Sequence, residues 1–430
     1  MERNSIKAVL AVAVVVCCLA SIFYVYSRPS RNGFGAEHDF VTVAAGAHCL
    51  LDRCDPYDSP TLEREFLKMG GYTPTSHFKA EWPVYPTSTL LFLFPLTLLP
   101  WPVLSVVWML LCLGFLSAAF VVLLLKFKAY RDWLSLLPFV ILLADGSIGW
   151  AVQLGQPALI SASSLTLAIV ALQSGTMPAV GGFLLAISLC LKPQGAYLCA
   201  AYFLLRKSTR IPAAAAYLFT VGAAVAGALL FYLQLSSRAY LTHLASNLKL
   251  AVQPGRDADF SRVNELNSSS FLNLQAFLAR FIQNPHVCNA LTYLVFFAIL
   301  GLLAFVCWRK NNFATRPYTI LAVLVMLELL VSYHRLYDHA LMLAAIPGLF
   351  EIKERGNFSY FLFVGGLFVY HFSQFHGLTI HGLGPFPSGA PVELFIAVLC
   401  LQSLWHNRPT RRPSVVEQKD GDPMLAAGRA

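Results

Sequence analysis

Charge is what this sequence has least of. Asp, Glu, Lys and Arg make up 12% of its 430 residues, against roughly 25% in an ordinary soluble domain. With 57% hydrophobic residues, a water-soluble fold would have too little polar surface to cover itself. A bilayer removes that requirement, because lipid is then the solvent for most of the exterior. Acids are scarcer than bases, 22 against 31, for a net charge of +9. The basic residues form no single patch, which argues against nucleic acid as a partner. They sit in short clusters between apolar runs, as loops on a cytoplasmic membrane face do. The sequence also lacks a glycine-rich phosphate loop and a His/Cys cluster with zinc spacing. No cofactor is therefore expected, and nothing indicates a divalent metal. Matching halves with broken helices, the mark of many transporters, are missing too. Ten cysteines do not make a disulfide scaffold, since eight lie in or beside apolar segments as small hydrophobes. Cys49 and Cys54 share a polar loop; if that loop is extracytoplasmic, a local disulfide is open to them.

What is present is a series of apolar runs near the length of about 20 residues that a bilayer core requires. The first covers about 8–26, read as a retained helix because Ser-Arg-Pro-Ser-Arg after it offers no small-residue cleavage site. Others lie near 86–100, 103–125, 133–151, 157–173, 179–205, 211–235, 287–307, 317–332, 338–350, 358–372 and 388–405. The expected fold class is thus an all-α polytopic membrane protein of about twelve transmembrane helices, with a long first outer loop over 27–85 and a second over 236–286. Gly181-Gly182 falls inside an apolar run and suits close helix packing. Residues 1–407 form the membrane domain, and the polar tail 408–430 reads as disordered.

Lys/Arg bias in short loops sets the orientation. Arg206 to Arg210, Trp308-Arg309-Lys310, Lys353-Glu354-Arg355, Arg408 to Arg412 and the N-terminus all fall on one side, which makes that side cytoplasmic. Both long loops and the Tyr333–His339 turn then face outside, in a cell (inner) membrane. Lys126, Lys128 and Arg131 disagree, because this alternation of spans puts them outside.

Four stretches carry residues suited to chemistry. The first outer loop opens with Glu37-His38-Asp39-Phe40, and Ala44 to Leu51 reads as a short amphipathic helix at the membrane surface. Asp55-Pro56-Tyr57 follows as a turn. A carboxylate at the membrane boundary is placed to act as a general base on a membrane-proximal substrate; a merely solvated loop has the same composition. Gln153-Leu154-Gly155-Gln156-Pro157 interrupts an apolar run, and Lys192-Pro193 breaks 179–205 with a cation. An intramembrane ammonium is rare enough to suggest function, although a hairpin with its turn at the surface explains it equally. Tyr333-His334-Arg335-Leu336-Tyr337-Asp338-His339 gathers cations, an acid and rings, a set that can hold phosphate and stack a sugar. Arg262 adds positive charge in the second outer loop.

Taken in order, Asp39-Phe40, Asp55-Pro56-Tyr57, Tyr85-Pro86 with Pro95 and Pro100, Gly155-Gln156 and Lys192-Pro193 resemble glycosyltransferase family 87 over roughly residues 8–350. This family comprises polyprenol-phosphate-mannose-dependent mannosyltransferases of the GT-C superfamily. The resemblance implies a GT-C fold and a lipid-monophosphate sugar as donor. Transfer would run to a lipid or glycan acceptor at the extracytoplasmic face, with inversion and without a nucleotide-sugar site. Asp39 matches the presumed base. His334, Arg335, Tyr337, His339, Lys192 and Arg262 are the expected donor contacts, and Glu37, His38, Asp55, Tyr57 and Gln156 the supporting residues. Members often carry a Trp- or His-containing turn before a late span; the departure to Tyr333-His334-Arg335 leaves the sugar open. The rival reading is a transporter or flippase of a lipid-linked sugar or anionic lipid.

Overall fold

The computed structural model describes residues 38–71, 83–144, 146–235, 239–253, 256, 258–260, 271, 273–310, 312–332, 336–354, 357–376, 379–380, 384–385 and 389–406. The expected first span, the tail, Glu37, Arg262, Tyr333, His334 and Arg335 lie outside these residues. Among the described residues the fold is all-helical apart from one two-residue antiparallel pairing, Thr379–Ile380 with Gly384–Pro385. Four helices are long and apolar enough to cross a membrane: α4 (Trp101–Lys126), α7 (Pro157–Ser174), α10 (Arg210–Leu235) and α13 (Pro285–Lys310). Leu110, Leu125, Leu218, Leu294 and Phe297 stand exposed on three of them. Large apolar side chains on the outside are costly in water and ordinary in lipid. These are the features of a membrane protein.

The remaining elements are shorter. The first outer loop holds α1 (His38–Asp52) and α2 (Ser59–Lys68); α3 (Thr87–Leu93) continues as a 3-10 turn over Phe94–Leu98. Next come α5 (Trp133–Ala144), α6 (Gly146–Gln153), α8 (Pro178–Leu191), α9 (Tyr197–Leu205) and α11 (Ala239–Ala251). After α12 (Leu274–Leu278) and α13 stand α14 (Pro317–Val331), a 3-10 turn Leu336–Leu341, α15 (Met342–Lys353), α16 (Asn357–His376) and α17 (Gly389–Trp405).

Side-chain and backbone contacts sort the chain onto two ends of the bundle. At one end Asp39 and Phe40 donate to the Leu154 carbonyl (3.1 and 3.4 Å), Trp101 donates to Met69 (2.7 Å), and Gln234 reaches Leu50 (3.0 Å). At the other end Arg206 meets Gln173, Lys353 meets Asp132, and Arg316 donates to the Ser403 carbonyl (2.6 Å). Phe127 joins this second group by stacking on Phe350 at 5.0 Å.

This sorting corrects three expectations. The run 86–100 begins and ends beside the first loop. Tyr85 accepts from Tyr57 at its start and Trp101 binds Met69 at its finish. Pro95, in the 3-10 turn, and Pro100 permit the reversal. The run 179–205 is two legs, α8 and α9, meeting at Lys192–Gly195, because Arg206 at its end pairs with Gln173 just before its start. The Lys126–Arg131 cluster sits at the same end of the bundle as Lys353. Third, Ala44 to Leu51 is not a surface helix. It is part of α1, which starts at His38 and buries Phe40, Val43, Ala44, Ala45, Ala47, Cys49 and Leu50.

Close approach explains the glycine pair. A Cβ on Gly181 would stand 2.6 Å from Leu172, and one on Gly182 would stand 2.9 Å from Pro212. Hydrogen alone at these positions lets α8 lie against both α7 and α10.

Candidate active site

Asp39 sits in the first turn of α1, where the helix dipole favours a carboxylate. It is half-buried. The Gln156 side-chain amide donates to Asp39 Oδ2. Gln156 is itself buried and stands at the start of α7, with Pro157 in the first helical position, where a missing N–H does no harm. Gly155 before it has φ of +61°, a left-handed conformation that glycine adopts without strain, and this turns the chain from α6 into α7. The Gly155 carbonyl accepts from the Trp108 indole at 2.7 Å, and Trp108 stacks on Phe40 with ring centroids 4.1 Å apart. Such a stack contributes about 0.5–1.5 kcal/mol beyond its buried area. The base candidate is therefore held from both sides, through Gln156 and through its neighbour Phe40.

The Leu336–Leu341 turn packs against both α6 and α7, so it flanks the Gly155–Gln156 corner. Within that turn Asp338 and His339 are buried, and Asp338 accepts from the Lys192 ammonium. Lys192 ends α8 at the break made by Pro193, and Gly195 lies so close to Leu341 that a Cβ there would be 2.9 Å from it. Three separate sequence signals thus meet at one end: Asp39, the Gly155-Gln156 corner, and Lys192 with the Asp338–His339 turn. The structure also assigns the Lys192 charge a partner. Its first role is to neutralise a buried carboxylate, which a lone ammonium in apolar surroundings would need in return. Tyr337 lies in the same turn, and His38 opens α1.

Asp55 and Tyr57 lie in a second group of contacts. Asp55 Oδ1 accepts from the Tyr57 amide (2.9 Å) in an Asx turn, and its Oδ2 lies 2.7 Å from His243 Nδ1. The buried Tyr57 hydroxyl donates to the Tyr85 carbonyl (2.8 Å). Asn247 spans the Tyr57 and Pro83 carbonyls at 2.8 and 3.1 Å. The motif is a clasp between the first loop, the start of α3 and α11. His243 and Asn247 were missed in the sequence, although two polar residues four apart on one helix face would have pointed to a partner.

A third cluster was also unforeseen. Glu65, buried on α2, lies 3.1 Å from His48 and accepts from Lys68 at 2.6 Å; Lys68 bonds Asp52 at 2.6 Å as well. The hydrogen bond from Lys68 holds the Asp52 carboxyl below its ordinary value, and the bond to Asp52 raises the Lys68 ammonium above its own. His48, Asp52 and Glu65 present ligand atoms within 4.8 Å of one another. The Lys68 ammonium takes up two of those carboxylates. Beside them Cys49 and Cys54 form a disulfide that closes the end of α1.

No curated protein and no solved structure matches the chain. The model of glycosyltransferase family 87 matches residues 83–332, which takes in the Gly155-Gln156 corner and Lys192 and ends just before the Asp338–His339 turn. By that match across more than half its length, the chain belongs to glycosyltransferase family 87.

Proposed function

We propose that this glycosyltransferase moves a sugar, mannose in the first instance, from a polyprenyl monophosphate to a membrane-associated lipid or glycan acceptor on the extracytoplasmic face. Asp39 takes the proton from the acceptor hydroxyl. The acceptor oxygen attacks the anomeric carbon from the face opposite the phosphate, the bond from that carbon to the phosphate oxygen breaks, and the configuration inverts. Negative charge grows on the departing lipid phosphate, where donors from the Tyr333–His339 turn would stabilise it. Polyprenyl phosphate leaves readily, so the scheme needs no separate acid.

The single observation that carries this reading is the half-buried Asp39 carboxylate, held by the Gln156 amide at the corner between α6 and α7, the two helices against which the Leu336–Leu341 turn packs. On this reading the chain has a GT-C arrangement and crosses about twelve times. The first run, 101–126, 133–153, 157–174, 178–191, 197–205, 210–235, 285–310, 317–331, 342–353, 357–376 and 389–405 are the legs, and 86–100 dips in and returns. The basic clusters of one end, now with Lys126, Lys128 and Arg131, favour that end as cytoplasmic. The Cys49–Cys54 disulfide at the other end favours an oxidising compartment there. Both termini are then cytoplasmic, in the cell membrane. Incubation of the purified protein with several polyprenyl-phosphate sugars and a membrane lipid extract tests the reading. Release of polyprenyl phosphate coupled to transfer of one sugar is expected. Movement of intact donor across vesicles without release would point to a flippase instead.

A further inference from the structure

The second outer loop carries a helix that the site above does not use. α11 has 13 residues, a length of about 20 Å at a rise of about 1.5 Å per residue, too short to cross a bilayer core. Its contacts hold it along the end of the bundle that carries the first loop. The buried Tyr240 hydroxyl donates to the Ala228 carbonyl (2.8 Å), and its ring lies 6.1 Å from Phe231. Ala228 stands seven residues before Leu235, the last residue of α10, which is about 10 Å back along that helix. α11 therefore starts beside the final turns of α10, where Leu229, Leu230 and Leu233 are still exposed. Farther on, His243 and Asn247 tie it to Asp55, Tyr57 and Pro83.

Helical spacing divides the surface of α11 into separate faces. Tyr240, Leu244 and Asn247, at i, i+4 and i+7, turn inward: Tyr240 and Asn247 are buried, and Leu244 packs on the core. Leu241, Ala245 and Leu248, with Val252 just past the helix, repeat that spacing one residue on, and all four are exposed. Thr242, Ser246 and Lys249 form an exposed polar stripe beyond them. At about 100° per residue, His243 stands about 140–160° round the helix from Leu241 and Leu248. The apolar stripe thus lies on the flank away from Asp55 of the first loop.

A short helix with an exposed apolar stripe beside a polar one has the pattern of a helix lying in a membrane interface. The exposed leucines of α10 continue the apolar surface at the depth where Tyr240 docks, and lipid covers them wherever α10 crosses a bilayer. We propose that α11 is an interfacial helix, with Leu241, Ala245, Leu248 and Val252 set among the acyl chains of the leaflet on the first-loop side. Thr242, Ser246 and Lys249 stay in water. Through His243 and Asn247 the helix then holds the Asp55–Tyr57 turn, and the segment leading into α3, at the membrane surface. The surface helix that the sequence placed in the first outer loop stands instead in the second. This inference rests on the membrane character of the chain and not on the glycosyl-transfer reading.

The test uses the purified full chain in vesicles of phosphatidylcholine with phosphatidylglycerol. A nitroxide-bearing amino acid is encoded, one position at a time, in place of Leu241, Leu248, Val252, Ser246 or Lys249, which leaves the cysteines untouched. Collision with oxygen and with a water-soluble nickel chelate gives the depth of each label. Labels at Leu241, Leu248 and Val252 are expected about 5–10 Å below the lipid phosphates, where oxygen reaches them and nickel does not. Labels at Ser246 and Lys249 should be open to nickel, at or above the phosphates. All five side chains are exposed, so melting temperatures should stay near that of the parent. Ala245 takes the place of any stripe position whose label disturbs the fold. Nickel reaching all five labels alike would put the whole helix in water and overturn the proposal. Shielding of the stripe labels from both oxygen and nickel would mean that a second copy or another protein covers the face, and overturns it too.

Discussion

Asp39 and Asp55 belong to the same loop, and both were candidates for one role, yet their surroundings commit them differently. Asp55 has one oxygen engaged by the Tyr57 amide and the other by His243, within a clasp that reaches α3 and α11. Asp39 is oriented by a side-chain amide at the corner between α6 and α7, the helices against which the turn carrying Asp338 and His339 packs. The comparison teaches that an acidic loop residue is read by what its neighbours leave it able to do. A carboxylate bound up in turn and clasp holds shape, whereas one aimed into a convergence of distant elements is placed for chemistry.

The largest expected effect sharpens that contrast. Asp39→Asn should lower transfer by about 10²–10⁴-fold, since an amide of nearly equal size cannot take the acceptor's proton. Its melting temperature should stay near that of the parent. The next effect falls on stability. Lys192→Met leaves the buried Asp338 carboxylate without its ammonium and should destabilise the protein by about 3–5 kcal/mol, visible as a lower unfolding midpoint. Asp338→Asn in the same background should recover much of that loss, because the pair is then removed as a unit. Gln156→Ala tests the orientation of the base and should slow turnover about 10- to 100-fold with little change in acceptor KM. An unchanged rate would detach Gln156 from the function of Asp39. Asp55→Ala should move stability by about 1 kcal/mol, because His243 is partly exposed, and change turnover less than about threefold. A larger fall in turnover than in stability would reverse the roles given to the two aspartates.

The smallest effect is on pH dependence, through Asp52 and Lys68. The Asp52 value is lowered from 3.8 when folded, so its contribution is present above that value and fades as pH falls through the folded one. The Lys68 value is raised from 10.5, so its contribution is complete below that value and fades as pH rises through the folded one. Thermal unfolding of Lys68→Met should therefore differ from the parent between these limits, and the two should converge at either extreme.

Much of this was legible in the sequence, and the failures have physical reasons. Helix ends at Gln156–Pro157 and Lys192–Pro193 could be read because proline and a buried cation interrupt apolar runs plainly. Asp39, Gln156 and Lys192 could be named because polar residues in such runs are rare. Their pairing could not, since it depends on which ends share a side. That in turn hung on whether 86–100 crosses and whether 179–205 crosses once or twice, and apolar length alone decides neither. Glu65, His243 and Asn247 passed unnoticed because they lie on ordinary amphipathic helices, where a polar residue usually meets water. Glu328 on α14 and Glu393 on α17, both fully buried, were overlooked for the opposite reason: each is a single acid inside a run so apolar that the window average hides it.

The central claim, that Asp39 is the base in transfer from a polyprenyl-phosphate sugar, is tested most directly by single-turnover transfer in Asp39→Asn with donor binding measured on the same preparation. The account expects donor affinity within about threefold of the parent and a chemical step slower by at least about 100-fold. A variant that binds donor normally and transfers at more than half the parental rate would contradict it.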